Sequence, residues 1–228
     1  MQTSFANIID HTLLKPNATD PQILQLCTEA KEYRFASVCI NPCFVPLAAR
    51  ALQGTDVKVC TVIGFPLGAS TTEAKLFEAK DAVANGADEL DYVVNLSDVL
   101  CGRYDLVRRE MERLVQLRSE VGKPLVIKII LETCYLNETQ IVEVCKLAKE
   151  TGLDFVKTST GFGTAGATAE HVRIMRETVG TDVGVKASGG IRSYEDCAAM
   201  IGAGANRIGA SASVAIVTGA KTADSSGY

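Results

Sequence analysis

The sequence has no tryptophan and only two histidines among its 228 residues. His11 and His171 lie far apart in the chain, and the eight cysteines include no C-x-x-C pair. Zinc centres need clustered histidine, cysteine or carboxylate ligands. A dinucleotide-binding G-x-G-x-x-G after an early strand is also absent. We therefore expect chemistry that uses neither a metal ion nor an organic cofactor.

Positive charge is scarce as well. The formal net charge is −4, whereas nucleic-acid binding needs a basic patch or stripe. The densest basic segment, residues 108–118, interleaves arginine with glutamate and indicates a solvated helix face. No apolar run is long enough to span a bilayer, and the first residues lack a secretion signal. Cysteines placed mostly inside apolar runs favour reduced thiols, so we expect a cytoplasmic protein without nucleic-acid or membrane partners.

A repeated unit dominates the rest of the sequence. A glycine, a short polar link and an apolar run recur along the chain, and most of these glycines also follow a helical pattern. The apolar runs are nearly continuous, which is typical of parallel strands covered on both faces. The predicted strands are Ile8–His11, Phe35–Ile40, Val57–Gly64, Leu90–Asn95, Leu125–Glu132, Asp154–Ser159, Gly184–Ala187 and Arg207–Ala210.

Helical patterns separate these strands. Asp20 is predicted to cap a helix opened by Pro21, and Ser70 with Glu73 forms a capping-box pattern. Further helices are predicted over 104–121, 137–150, 168–179 and 193–201. Eight strands alternating with helices over this length predict an α/β fold, a (β/α)8 TIM barrel in a single domain. We place the barrel at residues 1–220 and a mobile tail at 221–228, with an open doubly wound sheet as the alternative.

Two lysines stand out within this pattern. Lys157 and Lys186 each lie in a short apolar strand that leads into a loop of glycine, serine and threonine. Burial and a second ammonium group both lower the pKa of a lysine, and a neutral amine attacks carbonyls to form a Schiff base. Asp91 and Lys128 are further polar residues in apolar strands. The alternative is a structural ion-pair network, with Asp91 bonded to Lys186 and Lys128 bonded to Glu132.

The loops that follow the last three strands favour a phosphate site. TIM barrels often bind phosphate there through backbone N–H groups and the start of a short helix. The candidate residues are Gly161, Gly189, Gly190, Gly209 and Ser211. Asp10 and Cys39 lie near the ends of the first two strands and, with Lys128, are auxiliary candidates.

Eight segments of the sequence resemble segments of the deoxyribose-phosphate aldolase family, in the same order and over nearly the whole chain. The matching segments are I-D-H-T-L-L-K-P at 9–16, V-C-I-N-P at 38–42, G-F-P-L-G at 64–68, G-A-D-E-L-D at 86–91, K-I-I-L-E-T at 128–133, D-F-V-K-T-S-T-G-F at 154–162, V-K-A-S-G-G-I-R at 185–192 and R-I-G-A-S at 207–211. The resemblance implies a class I aldolase that reversibly cleaves 2-deoxy-D-ribose 5-phosphate to acetaldehyde and D-glyceraldehyde 3-phosphate.

The resemblance also implies roles for individual residues. Lys157 is similar to the Schiff-base lysine, Lys186 to the second lysine that depresses its pKa, and Asp91 to the acid/base carboxylate. Tyr228 resembles a terminal tyrosine that assists proton transfer. The expected partners are a sugar phosphate and aldehydes, and a homo-oligomer, with a dimer favoured, is the family-level expectation.

Two positions depart from some family members. Phe162 and Ala212 replace a lysine and a serine, which weakens the expected phosphate affinity. Three other functions stay open at this point. They are a phosphate-binding barrel isomerase without a covalent intermediate, a non-catalytic sugar-phosphate sensor, and a class I aldolase for a longer keto-sugar.

Overall fold

The structure, a computed structural model, describes residues 5–219. Eight parallel strands close into a barrel, each strand paired with its neighbours in sequence and β8 paired with β1. The strands are β1 (Ile9–Leu13), β2 (Ser37–Ile40), β3 (Lys58–Ile63), β4 (Glu89–Val93), β5 (Val126–Ile130), β6 (Phe155–Lys157), β7 (Gly184–Ser188) and β8 (Arg207–Ala210). The closed barrel confirms the predicted fold and excludes the open sheet, and the predicted strand ends differ from these by at most two residues.

Helices surround the barrel. They are α1 (Asp20–Tyr33), α2 (Val45–Ala51), α3 (Thr72–Ala84), α4 (Leu96–Leu100), α5 (Tyr104–Val121), α6 (Glu138–Thr151), α7 (Ala169–Val179), α8 (Tyr194–Gly202) and α9 (Ser213–Thr218). The sequence patterns did not predict α2, α4 or α9, because each is too short to show two turns of apolar periodicity. The predicted tail at 221–228, which includes Tyr228, lies outside the described residues.

Two predicted helix starts were wrong by one residue. Thr19, not Asp20, caps α1, and Thr71, not Ser70, caps α3 by accepting a hydrogen bond from Ala74 N at 3.3 Å. With Thr71 as the cap, Glu73 no longer occupies the capping-box position. Its carboxylate instead bonds Arg113 of α5 at 2.7 Å.

The predicted solvated face at 108–118 is also only partly correct. The arginines of α5 do lie at the surface, where Arg108 pairs with Glu150 and Arg113 with Glu73. Glu110, however, is buried and pairs with Lys75 of α3 at 2.8 Å. The arginine–glutamate alternation did not reveal that the glutamate faces a neighbouring helix.

The alternation of side chains along each strand decides what faces the barrel interior. In β1, His11 points outward, where Nε2 lies 2.7 Å from Glu29 and the ring packs on Phe35. Its neighbour Asp10 therefore points inward, where Ser37 donates a hydrogen bond to it at 2.7 Å. Aliphatic side chains fill most of the space between the barrel and the helices.

The interior consists of three layers of four residues, as TIM barrels commonly have, with alternate strands contributing to alternate layers. The floor layer, at the amino ends of the strands, is Ser37, Glu89, Phe155 and Arg207. The middle layer is Asp10, Cys60, Lys128 and Lys186. The upper layer is Cys39, Asp91, Lys157 and Gly209. Charged side chains make up at least half of each layer, which is unusual for a buried core.

Among residues 5–219, no helix is both long and apolar enough to cross a bilayer.

A substitution at Gly184 tests how tightly the floor layer is packed. A Cβ atom at this position would lie 2.1 Å from Cε1 of Phe155, and Phe155 packs below Lys128 and Arg207. We expect Gly184→Ala to lower the free energy of unfolding by about 1–3 kcal/mol, the usual cost of overpacking. Gly202→Ala is the matched control, because nothing lies within 4 Å of its Cβ position. Urea unfolding measures both, and equal stability of the two variants would contradict this account.

Candidate active site

Asp91 lies at the centre of the barrel interior and contacts three lysines. Its Oδ2 accepts hydrogen bonds from Lys157 Nζ at 2.8 Å and from Lys186 Nζ at 2.7 Å. Its Oδ1 accepts one from Lys128 Nζ at 2.8 Å and one from the thiol of Cys60 at 3.2 Å. The carboxylate is completely buried, and these donors compensate for its lost hydration.

Two more carboxylates complete the cluster. Asp10 bonds Lys186 and lies 2.9 Å from Nε of Arg207. Glu89 lies 2.6 Å from Lys128 Nζ and also bonds Arg207. We call the seven side chains that carry these ion pairs the charge cluster: Asp10, Glu89, Asp91, Lys128, Lys157, Lys186 and Arg207.

Strand register explains how such distant residues meet. Asp91 is the Cα partner of Lys128, and Lys157 is the Cα partner of Lys186. Glu89 and Asp91 are two residues apart on β4, so both face inward. Closure of the barrel then brings β8 beside β1, which places Arg207 within reach of Asp10.

The charge cluster keeps its carboxylates ionised. Burial would raise the pKa of Asp91, but Lys128, Lys157 and Lys186 outweigh it and hold this pKa well below its ordinary value. Burial opposes ionisation of Asp10 too, but Lys186 and Arg207 lower its pKa.

The expectation that burial lowers the pKa of both strand lysines was wrong for Lys186. Burial alone would lower its pKa, but Asp10 and Asp91 raise it above the ordinary value. The pKa of Lys128 is raised in the same way against the effect of burial, chiefly by Asp91. The predicted pairing of Lys128 with Glu132 was also wrong, since Lys128 bonds Asp91 and Glu89. The pairing of Asp91 with Lys186 was correct.

The cluster contains more cations than anions. Lys128, Lys157, Lys186 and Arg207 face only Asp10, Glu89 and Asp91. Lys128 and Lys186 each bond two of these carboxylates, whereas the ion pairs of Lys157 within the described residues involve Asp91 alone. Lys157 is also the last residue of β6. It is therefore the lysine of the cluster with the fewest carboxylate partners among the described residues, and its amine is nearest to the open end of the barrel.

The glycine loops lie at that same end. Gly161, Gly189 and Gly190 all have positive φ angles, of 88°, 84° and 80°. A Cβ on Gly189 would lie 3.0 Å from Cα of Gly166 and 3.6 Å from Cα of Gly161, so the loops after β6 and β7 pack backbone against backbone. Gly190 has open space at its Cβ position. The exposed backbone there is suited to binding an anion.

The two remaining loop candidates differ in position. Gly209 lies inside β8, in the upper layer, where a Cβ would come within 3.1 Å of Cε of Lys186. Its lack of a side chain makes room for that lysine. Ser211 follows β8 and is exposed at the barrel mouth, just before α9.

The side of the interior formed by β2 and β3, away from the glycine loops, is apolar. Cys39 packs with Leu14, Cys60 and Val62, and Phe65 closes this group at the mouth. Phe65 meets Phe162 edge to face, with ring centroids 5.3 Å apart. A hydrogen bond with Cys60 lowers the pKa of the Cys39 thiol. The cavity mouth thus has one wall of glycine loops and one of aromatic and aliphatic side chains.

The thiol and carboxylate atoms of the interior do not form a convincing metal site. Cys39, Cys60 and Asp91, or Asp10, Cys60 and Glu89, lie close enough to share an ion. Every carboxylate in these sets already bonds lysine or arginine, so a cation would be repelled by the ammonium and guanidinium groups.

Sequence reasoning missed the role of Glu132. This buried residue has a left-handed backbone, with φ 54° and ψ 60°, which is costly outside glycine. Its carboxylate accepts hydrogen bonds from Thr160 N at 3.1 Å and from the Thr160 hydroxyl. Phe162 N in turn donates to Thr160 Oγ1 at 3.0 Å. Glu132 therefore fixes the loop that follows Lys157, and only the fold reveals this because the two segments are far apart in sequence.

Removal of the Glu132 carboxylate tests this role. We expect Glu132→Ala to speed amide hydrogen exchange at Thr160 and Phe162 by about tenfold or more, because the lost hydrogen bonds contribute about 1–3 kcal/mol. Exchange mass spectrometry on peptides that cover 158–163 measures the effect. Glu73→Gln, which alters an exposed ion pair on α3, is the control, and unchanged protection of the loop in Glu132→Ala would contradict the assignment.

Acid stability tests the ionised state of Asp10. Its folded pKa lies below the unfolded value of about 3.9, so its contribution is present above that pH and is lost as the pH falls toward the folded pKa. We expect Asp10→Asn to cost about 3–5 kcal/mol near pH 6 and less at pH 3. Urea unfolding at both pH values measures this, with the exposed Asp182→Asn as control. A cost that does not fall with pH would contradict the ionic role.

Comparisons with known proteins agree with this geometry. The family model described as DeoC/LacD family aldolase matches residues 5–222. The chain is 62% identical over 214 residues to a deoxyribose-phosphate aldolase of Thermoanaerobacter sp. (strain X514), covering 94% of this chain and 96% of that protein. It is 56% identical to a deoxyribose-phosphate aldolase of Clostridium novyi (strain NT), covering 96% of this chain and 97% of that protein.

A solved structure gives the same result. The deoxyribose phosphate aldolase from Aeropyrum pernix, described as a unique tetrameric structure, superposes with a TM-score of 0.86 at 36% identity, covering 94% of this chain and 89% of that one. Since the family model spans nearly the whole barrel, this chain belongs to the DeoC/LacD family of aldolases.

Proposed function

We propose that this protein is a class I aldolase, a lyase that reversibly cleaves 2-deoxy-D-ribose 5-phosphate to acetaldehyde and D-glyceraldehyde 3-phosphate. The observation that carries the proposal is the position of Lys157. Its amine lies at the mouth end of the barrel interior, bonds a carboxylate and faces a second, firmly charged lysine. The relatives named as deoxyribose-phosphate aldolases support the choice of substrate.

The first step is attack by the Lys157 amine on the C1 aldehyde of the sugar. A carbinolamine forms, loses water and becomes a protonated imine, which is a covalent Schiff base. Asp91 accepts a hydrogen bond from the same amine and stays ionised, so it stabilises the positive imine as it forms. Lys186 keeps its proton and repels a second positive charge on Lys157, which favours the free amine before attack.

The iminium then draws electrons as the bond between C2 and C3 breaks. The C3 hydroxyl loses its proton and becomes the aldehyde of glyceraldehyde 3-phosphate, while an enamine of two carbons stays on Lys157. We assign proton transfer to Asp91 acting through water, since its carboxylate contacts both lysines. Lys186 is the nearest charged donor for protonation of the enamine carbon. Hydrolysis of the resulting imine releases acetaldehyde and restores the amine.

Substrate phosphate binds, in this proposal, at the glycine loops of the mouth. The backbone N–H groups near Gly161, Gly189 and Gly190 and the hydroxyl of Ser211 are the donors, and Gly209 supplies space beside the reacting carbons. Phe162 is 41% exposed and stands where some family members have lysine. Phosphate affinity therefore depends on backbone groups and not on a side-chain ammonium at that position.

Further features of the proposal concern the whole protein. We infer that the barrel at 1–220 forms one domain with a tail at 221–228, and that Tyr228 assists proton transfer from that tail. We also infer a homo-oligomer, with a dimer favoured, in the cytoplasm. The described cysteines are all free, which is compatible with a reducing compartment.

Trapping of the imine tests the proposed function. We expect borohydride with acetaldehyde to leave a reduced two-carbon adduct on Lys157, and peptide mass mapping locates it. Lys157→Leu should lose activity by several orders of magnitude while the barrel stays folded, because the nucleophile is gone and the replacement is apolar. Lys146→Leu, at an exposed helix position, is the control. An active, folded protein without any adduct would favour the isomerase instead.

A further inference from the structure

We propose that Glu89 and Arg207, on the floor of the barrel, set the charge balance of the cluster and thereby the pH at which Lys157 becomes a nucleophile. They act as positioning residues, two layers away from the open end, without contact with substrate. The inference rests on the proposed function, since it concerns the proton on the Schiff-base lysine.

The two residues form a bridge across the interior. Glu89 is the first residue of β4 and Arg207 the first of β8, strands on opposite sides of the eight-stranded barrel. The Arg207 guanidinium bonds both carboxylate oxygens of Glu89 and packs 5.6 Å from the centre of the Phe155 ring. The guanidinium and the carboxylate are thereby held in a fixed place below the lysines.

Two chains of ion pairs lead from this bridge to Asp91, which bonds Lys157. One runs from Arg207 through Asp10 and Lys186 to Asp91. The other runs from Glu89 through Lys128 to Asp91. Cations and carboxylates alternate along both chains, so a change of charge on the floor alters the field at the lysine that ends them.

The sign of each effect follows from the unmatched cation. Loss of the Glu89 charge leaves one more cation unmatched, which disfavours the ammonium form of Lys157. Loss of the Arg207 charge leaves cations and carboxylates equal in number, which favours the ammonium form. Lys186 does not absorb the change, because Asp10 and Asp91 both raise its pKa against burial. Lys128 loses one of its two carboxylates when Glu89 is neutralised but keeps its bond to Asp91, so adduct mapping must show that Lys157 and not Lys128 reacts in that variant.

Other titratable groups line the described barrel interior around and below Lys157. They are Asp10 on β1, Cys39 on β2, Cys60 on β3, Glu89 and Asp91 on β4, Lys128 on β5, Lys186 on β7 and Arg207 on β8. Burial raises the pKa of Cys60, whereas that of Cys39 is lowered by its bond to Cys60. Cys39 is therefore the other group that could release a proton, and the experiment must separate it from Lys157.

The experiment measures the pH dependence of kcat/KM and, in parallel, of borohydride trapping with acetaldehyde. We expect Glu89→Gln to move the acid limb of both profiles to lower pH, by about half a unit to one unit, and Arg207→Gln to move it to higher pH by a similar amount. The double variant Glu89→Gln/Arg207→Gln restores the charge difference, and its limb should return to near the wild-type position.

Charge-retaining variants separate charge from packing. Glu89→Asp and Arg207→Lys alter shape and bonding but keep the charge, so their limbs should stay near wild type even if stability falls. Cys39→Ser should also leave the acid limb in place, because the proposal assigns the titration that this limb reports to Lys157 and not to Cys39. A limb that moves with Cys39→Ser, or that moves in one direction for both floor variants, would overturn the proposal.

Two further outcomes are decisive. If wild type forms no adduct, the proposed function fails; if all variants form it with unmoved limbs, only the role of Glu89 and Arg207 fails. Should one Gln variant not fold, the other still tests the proposal by the direction of its own shift, and an unmoved or opposite limb in that variant would overturn it. The proposal requires the adduct on Lys157 alone, and an adduct on Lys128 or Lys186 in folded protein would overturn it.

Discussion

An ionised carboxylate without partners is too costly to bury, and the interior of this barrel is organised around the one that it buries at its centre. Asp91 accepts hydrogen bonds from three lysine amines, and those lysines occupy β5, β6 and β7. The charge of the carboxylate offsets the cost of removing the lysine amines from water, and the charges of the lysines offset the same cost for the carboxylate. Removal of any one partner would leave a buried charge uncompensated. This mutual dependence explains why the layers of a TIM barrel, usually aliphatic, are here filled with charged groups.

The same constraint turns a stable core into a reactive one. Lys128 and Lys186 each have two carboxylate partners, and Lys157 has only its bond to Asp91 among the ion pairs of the described residues. In a cluster with one more cation than carboxylates, the lysine with the fewest carboxylate partners is also the lysine closest to the mouth. The nucleophile is thus selected by the number of carboxylates around each amine and not by burial alone.

Much of this was predictable from local sequence. The recurring glycines and continuous apolar runs gave the barrel, because each βα unit is a short, local pattern. Lys157, Lys186, Asp91 and Lys128 were identified because charged residues in apolar strands are costly and need partners, and Asp10 was identified from its place at a strand end. The partners of these residues were harder to predict from the sequence. The sequence analysis paired Lys128 with Glu132, four residues away, whereas the fold pairs it with Glu89 on the adjacent strand and gives Glu132 to the loop after β6. Register between strands decides such pairs, and it depends on closure of the whole barrel.

The charge of the lysines was the larger error. Burial was expected to lower the pKa of both Lys157 and Lys186, but Asp10 and Asp91 raise the pKa of Lys186 instead. The central claim is now that Lys157, and not Lys128 or Lys186, is the amine that reacts. A crystal structure of the protein after treatment with acetaldehyde and borohydride tests it most directly, because it shows which amine carries the reduced two-carbon group. The account predicts that group on Nζ of Lys157 alone; the group on Lys128 or Lys186, or on no amine of an active protein, would contradict it.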